Sequence, residues 1–153
     1  MKKICIITAA CLTLSGLIFS SCKKINIDDL EYQHITKTEH IQAYVKKKGG
    51  MMVLWFQVYD RSGNTTEFKR IQEPTVEIEG HPAKIKEDHW IIMMVNERIE
   101  IRLTAFGAVK DFQDTDKLKK FIRLFDLSGM AKISGPKLKA EELEKFIPVL
   151  GGK

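Results

Sequence analysis

The middle third of the chain carries short hydrophobic runs separated by turn residues. The runs at 51–60 (MMVLWFQVYD) and 89–95 (HWIIMMV) are apolar on both faces, whereas 75–80 (TVEIEG) and 98–106 (RIEIRLTAF) alternate apolar and polar residues. Such alternation predicts strands, as do short runs rich in β-branched and aromatic residues. Turns about every 8–12 residues are typical of an antiparallel sandwich. We therefore predict an antiparallel β-sandwich, with the β-domain spanning residues 38–110.

Two neighbouring segments extend this interpretation. Residues 65–71 (TTEFKRI) are expected to return as a hairpin partner of the run at 51–60. Residues 38–50 fit two patterns, because they combine strand-like alternation with partial helical spacing and a potential Thr38 cap. We slightly favour the strand, and Gly49–Gly50 ends either element.

Beyond Gly107 the hydrophobic period becomes helical. Four apolar residues of the segment 114–129 fall at i, i+3, i+4 and i+7, namely Leu118, Phe121, Ile122 and Phe125. Asp114 or Asp116 is the expected N-cap and Gly129 the expected stop. A second short helix is predicted before Pro148 from Leu138, Leu143, Phe146 and Ile147. The predicted fold class is therefore mainly β with an α tail (α+β), in which residues 111–153 either cap the sheet or dock a partner.

The first residues have the composition of an export signal. Lys2 and Lys3 precede an uncharged apolar segment at 4–19, and two small serines, Ser20 and Ser21, follow it. This segment is shorter than the roughly 20 residues that a helix needs to cross a bilayer. We therefore predict a cleaved signal peptide over residues 1–21.

The stretch from Phe19 to Cys22 (FSSC) resembles the lipobox of bacterial lipoprotein precursors, in which an apolar residue and two small residues precede a cysteine. The resemblance implies cleavage between Ser21 and Cys22, diacylglycerol on the Cys22 sulfur, and an acyl group on the new amino terminus. Phe19 departs from the family, where leucine is usual. Cys11 (TAAC) is a competing candidate, but too short an apolar segment precedes it.

The remaining features agree with a lipid-anchored protein. All three cysteines, Cys5, Cys11 and Cys22, lie in or at the end of the signal, so the body has no disulfide. Residues 22–37 are polar with scattered apolar positions and are expected to tether the lipid to the body. The segment is not a Gly/Ser linker, so an initial strand or turn formed by part of it is the alternative. In the enteric lipoprotein pattern an aspartate after the cysteine retains the protein in the inner membrane. Lys23 therefore implies an outer-membrane anchor, facing the periplasm.

Charge and motifs argue against several function classes. The chain has 153 residues and a net charge of +5, and two of its 25 basic residues but none of its 20 acidic ones lie in the signal. The interleaved charges of the body argue against nucleic acid. We find no phosphate-binding loop, nucleophile elbow or dinucleotide fingerprint, and no histidine pair or aspartate cluster with metal-ligand spacing. The sequence thus predicts no catalytic site, metal or cofactor apart from the lipid on Cys22.

Trp55, Tyr59 and Trp90 form the candidate ligand or partner surface, although their aliphatic neighbours favour a place in the core. Our first hypothesis is a non-enzymatic scaffold or adaptor that holds another envelope protein at the membrane. In outline, a small β-sandwich behind a lipid anchor is similar to the lipoprotein subunits of envelope-spanning machines, including type VI secretion. The alternatives are a module that binds a glycan or a small apolar ligand and, less favoured, an enzyme.

Overall fold

The computed structural model describes residues 26–62, 76–86, 89–106 and 114–151. Its strands form a seven-stranded sheet in which neighbours are antiparallel, in the spatial order β1-β2-β3-β7-β6-β5-β4. Their bounds are β1 Leu30–Lys37, β2 Ile41–Lys47, β3 Met52–Asp60, β4 Val76–Ile78, β5 His81–Lys86, β6 Trp90–Val95 and β7 Ile99–Ala105. Two 3₁₀ turns, Ile27–Asp29 and Glu144–Phe146, accompany them.

The prediction of a mainly antiparallel β fold followed by short helices is confirmed, and the sandwich is not. The strands of the described residues belong to one open sheet. The helices α1 (Thr115–Ile122), α2 (Leu127–Ala131) and α3 (Ala140–Leu143) pack into the same hydrophobic core as the strands. Alternation in a strand shows that one face is buried, but it does not show whether a sheet or helices bury it.

The sheet begins earlier in the chain than we expected. Residues 30–37, assigned to the tether, form β1 and pair with β2. Leu30 is buried, and Tyr32 and Ile35 pack against the core, which explains why this segment joins the sheet. The strand interpretation of residues 41–47 is confirmed by β2.

The predicted helix over 114–129 is wrong in its end point. Asp114 caps α1 by accepting a hydrogen bond from the Asp116 N–H at 2.9 Å, as expected, but α1 ends at Ile122. Asp126 then starts α2 by accepting from the Gly129 N–H at 2.8 Å. Gly129 thus lies inside α2, where a Cβ would stand 2.8 Å from the Phe146 ring.

The helices pack against one face of the sheet, which we call the inner face. Three aromatic rings meet at its centre: Phe56 of β3 lies 6.1 Å from Phe121 of α1 and 5.1 Å from Phe125, centroid to centroid. Phe121 and Phe125 are themselves 6.0 Å apart in an edge-on arrangement. Such contacts add to the stability gained from apolar burial.

A buried ion pair fixes the chain before α3 to one end of the sheet. Asp60, at the end of β3, accepts hydrogen bonds from Arg98 Nη2 at 2.7 Å, from Arg98 Nε at 3.0 Å and from the Leu138 N–H at 2.8 Å. Arg98 also donates to the backbone carbonyls of Gly135 and Pro136. Burial opposes ionisation of Asp60, but these hydrogen bonds outweigh it and hold the pKa of the carboxyl below its usual value.

Several predicted features lie outside the described residues. They are the signal peptide over 1–21, the cleavage and lipidation positions Ser21 and Cys22, and the expected return strand at 65–71. No helix in the described ranges is long and apolar enough to cross a membrane.

Candidate functional site

The candidate site lies on the outer face, the side of the sheet opposite the helices. Strand register arranges its side chains in rows that run across the sheet. One row contains Tyr44, Trp55, Thr104 and Trp90, and the next contains Gln42, Gln57, Arg102 and Ile92. A third row contains Tyr59, Glu100 and Met94.

The three residues singled out from the sequence all belong to this face. Trp55 and Trp90 flank Thr104 in the first row, and Tyr59 lies two rows away. Each is partly exposed, and none is part of the helix-covered core. The core position favoured for Trp55 and Tyr59 from their aliphatic neighbours is therefore wrong. Trp90 packs instead against a separate small cluster formed by Ile92 and Met94.

The centre of the outer face is a buried carboxylate held by two arginines. Glu100 is fully buried, and Arg61 donates to its two oxygens from Nε and Nη2, each at 3.2 Å. Arg102 Nε donates to one of the same oxygens. A buried charge destabilises the folded state unless it is paired, so removing one partner of a buried pair lowers stability strongly. Sequence reasoning missed this cluster, although the alternation in 98–106 places Glu100 and Arg102 on one face.

Aromatic and amide groups surround this cluster. The Arg61 guanidinium lies 3.9 Å from the Tyr59 ring centroid, and Tyr59 stacks on His40 with centroids 4.3 Å apart. The Gln57 amide donates to Gln42 at 3.2 Å. Burial and the charge of Arg61 lower the pKa of His40, so its imidazole is neutral at pH 7. These groups form a preorganised polar network.

Beside the network lies a depression of about 410 Å³, which we call the basic depression. It is lined by Lys84, Lys86, Trp90, Ile92 and Arg102. Lys86 Nζ lies 5.6 Å from the Trp90 ring centroid, within range of a cation–π interaction. Two lysines beside an indole ring, next to the Arg102 that pairs with Glu100, suit an anionic group attached to an apolar or ring-shaped body. The sequence carries a signal for part of this site, since Lys84 and Lys86 alternate along β5.

The indole N–H of Trp55 is buried and has no hydrogen-bond acceptor within the described part of the chain. Unpaired buried donors are rare in folded proteins. No cluster of three or more histidine, cysteine or acidic side chains is placed to hold a metal in the described ranges.

Comparison with known proteins gives no family. No protein-family model matches the chain, and neither the curated proteins nor the solved structures contain a match.

Proposed function

We propose that this protein is a lipid-anchored, non-enzymatic scaffold or adaptor of the cell envelope, which holds an acidic partner on its outer face. The observation that carries the partner assignment is the basic depression beside Trp90. Lys84 and Lys86 supply positive charge, and the indole supplies apolar contact area, a combination suited to an interface. A role as a secretion-machine subunit rests on the similarity in outline to the lipoprotein subunits of envelope-spanning machines.

The anchor part of the proposal is supported by the lipobox-like sequence that ends at Cys22. Leu30 lies eight positions after Cys22 in the sequence, which is a span of at most roughly 26 Å when fully extended. A lipid on Cys22 therefore holds the sheet close to the bilayer. Two or more acyl chains give stable attachment, whereas a single chain gives only marginal binding. Lys23 supports placement at the outer membrane, facing the periplasm.

The network at Glu100 supports a structural rather than a catalytic role for the outer face. Its carboxylate accepts hydrogen bonds from two arginines, which fix it within the sheet. The amides of Gln57 and Gln42 likewise bond to each other.

The anchor is tested by intact mass and membrane fractionation of the wild type and Cys22→Ala. The wild type should carry acyl mass and sediment with membranes, and Cys22→Ala should lose both. Unmodified wild-type protein outside the membrane fraction would refute the anchor.

The partner surface is tested by site-specific photo-crosslinking in envelope preparations. A benzophenone amino acid at Thr104, between Trp55 and Trp90, should give a defined adduct, and the same probe at the exposed Lys120 of α1 should not. Lys84→Glu combined with Lys86→Glu should abolish the adduct. The control variant combines Lys120→Glu with Lys137→Glu in a protein that also carries the probe at Thr104. It changes the net charge by the same amount at exposed positions outside this face, and the adduct should remain. Equal adducts from both faces would contradict the assignment.

A ligand-binding module is the second candidate, because the basic depression also fits a small anionic glycan. The chain has two tryptophans, so Trp55→Phe leaves Trp90 as the only reporter. Saturable quenching by glucuronate, but not by glucose, with loss in Lys86→Ala, would favour this candidate. No quenching by either sugar would leave the scaffold proposal ahead.

A further inference from the structure

The exposed large hydrophobic side chains of the described residues gather at one end of the sheet. They are Ile27 (37 % exposed), Met51 (69 %), Met52 (41 %) and Val149 (92 %). Scattered single apolar residues on a surface need no explanation, whereas a group at one end marks an interaction site.

Backbone contacts bring the segments that carry these four side chains to the same end of the sheet. Met51 and Met52 lead from the β2–β3 turn into β3. The Lys48 N–H donates to the Asp29 carbonyl at 2.8 Å, which sets the turn containing Ile27 beside the hairpin.

The carboxyl-terminal segment reaches the same end. The Tyr32 hydroxyl donates to the Pro148 carbonyl, and Gly151 lies beside Glu31, so Val149 is near the start of β1. We call the surface formed by Ile27, Met51, Met52 and Val149 the apolar tip.

Lysines border the apolar tip together with carboxylates, since Asp28 and Asp29 are exposed in the turn that contains Ile27. The sequence from 46 to 52 reads KKKGGMM, and Lys46 is paired across the strands with Met52. Lys46 forms an ion pair with Glu31 at 3.1 Å, whereas Lys48 is exposed in the turn. Lysines reach to headgroup level while neighbouring apolar side chains enter the acyl boundary, which is the pattern of interfacial membrane contacts.

We propose that the apolar tip docks onto the bilayer that holds the lipid anchor, an inference that rests on the proposed function. The chain length supports this occupant, because Ile27 lies five residues after Cys22, a distance of at most roughly 17 Å. The anchor thus brings the tip to the bilayer surface. Insertion of Met51 and Met52 fixes the orientation of the sheet relative to the membrane.

The test measures contact between the tip and lipid acyl chains. The acylated mature protein is reconstituted into vesicles of phosphatidylethanolamine and phosphatidylglycerol, with an environment-sensitive fluorophore on Met51→Cys. The sequence after Cys22 has no other cysteine, so the introduced thiol is the single reactive one. The matched control is Glu39→Cys, in the exposed β1–β2 connection at the opposite end of the sheet.

Spin-labelled lipids should quench the probe at residue 51 about twofold or more and leave the probe at residue 39 nearly unchanged, since only the tip reaches the acyl boundary. Adding Met52→Asp should remove the quenching. Equal, weak quenching at both positions would overturn the proposal. So would shielding of the residue-51 probe without vesicles, since a protein partner or a second copy would then cover the tip.

Intact mass, measured on the same preparation, distinguishes failure of the lipid anchor from failure of docking by the apolar tip. If Cys22 carries no lipid, the proposed anchor fails. The chain from Lys23 is then held on nickel-chelating vesicles through an amino-terminal histidine tag, and the same comparison of residues 51 and 39 decides the docking proposal. All described elements lie within residues 27–146, so this chain keeps the whole sheet and its helices.

Discussion

Replacing Asp60 by alanine should lower the free energy of unfolding by about 4 kcal/mol, because it removes one partner of a buried ion pair. The Asp60 side chain is fully buried, and that of Arg98 is 12 % exposed. Within the described ranges, the substitution leaves the guanidinium with the carbonyls of Gly135 and Pro136. It also deprives the Leu138 N–H of its acceptor.

The magnitude follows from these two losses. Breaking a buried pair costs about 3–5 kcal/mol, and an orphaned backbone donor costs about 1–3 kcal/mol, part of which is the same effect. A matched control is the ion pair between Arg123 and Glu79, which is as short, at 2.6 Å, but half exposed. Arg123→Ala should cost less than about 1 kcal/mol because solvent screens that pair.

Urea unfolding of the mature chain measures both effects. With a slope of about 2 kcal/mol per molar urea, Asp60→Ala should lower the midpoint by roughly 2 M. Because the pKa of Asp60 is lowered in the folded state, its contribution is complete above about pH 4–5 and is lost as pH falls through the folded pKa. The difference between wild type and Asp60→Ala should therefore shrink at pH 3. A shift no larger than that of Arg123→Ala would refute this reasoning.

Three further measurements follow from the same structure. Phe121→Ala removes a fully buried ring between the sheet and α1 and should cost about 3–5 kcal/mol in urea unfolding, whereas a cost below about 1 kcal/mol would show that the helices do not cap the sheet. The pKa of His40 is lowered, so the stability that comes from its neutral imidazole is complete above about pH 6.5 and falls as pH drops through the folded pKa. An NMR titration should place that pKa below about 6.5, and a higher value would contradict the packing of His40 on Tyr59 beside Arg61. Gly129→Ala should destabilise the protein by about 1–3 kcal/mol, since a Cβ there overlaps the Asp126 carboxylate, while Ser128→Ala at an exposed site of the same helix should change it by less than about 0.5 kcal/mol.

The strands that sequence analysis located best are those with strong local patterns. β6 is a run of apolar residues, and β7 alternates strictly, so burial and period identify both without knowledge of their neighbours. The start of α1 was equally local, because the Asp114 side chain caps it within three residues. In these elements the hydrophobic pattern and the local backbone preference predict the same secondary structure.

The sequence left β1 only as an alternative to a tether, and this has a specific physical cause. Its register shifts between Tyr32 and His34, so an extra residue interrupts the alternation. Leu30 and Tyr32 pack on the core before the shift, and Ile35 packs on it afterwards. A period-2 pattern therefore fails across the segment, and the polar residues around it suggest a tether.

The outer-face network could not be predicted, because its members come from distant parts of the chain. Arg61 and Glu100 meet only because β3 pairs with β7, and the basic depression exists because β5 and β7 both flank β6. The aliphatic neighbours of Trp55 and Tyr59 favoured the core, whereas both side chains lie partly exposed on the outer face, because what surrounds them depends on this strand order. Local periodicity gives the face of each side chain and not its cross-strand neighbour.

The two proposed surfaces, the apolar tip and the basic depression, lie at different positions along the strands of the sheet. Trp55 follows Met52 by three residues, so its row, which includes Trp90, stands roughly 10 Å from the apolar tip. β3 continues to Asp60, roughly 26 Å from Met52 at the same rise per residue. With the tip at the bilayer, the outer face stands beyond the headgroups, where an acidic partner can reach the basic depression from the side. Lipid contact at Met51 and partner contact at Lys84 and Lys86 would then be separate functions of one rigid sheet.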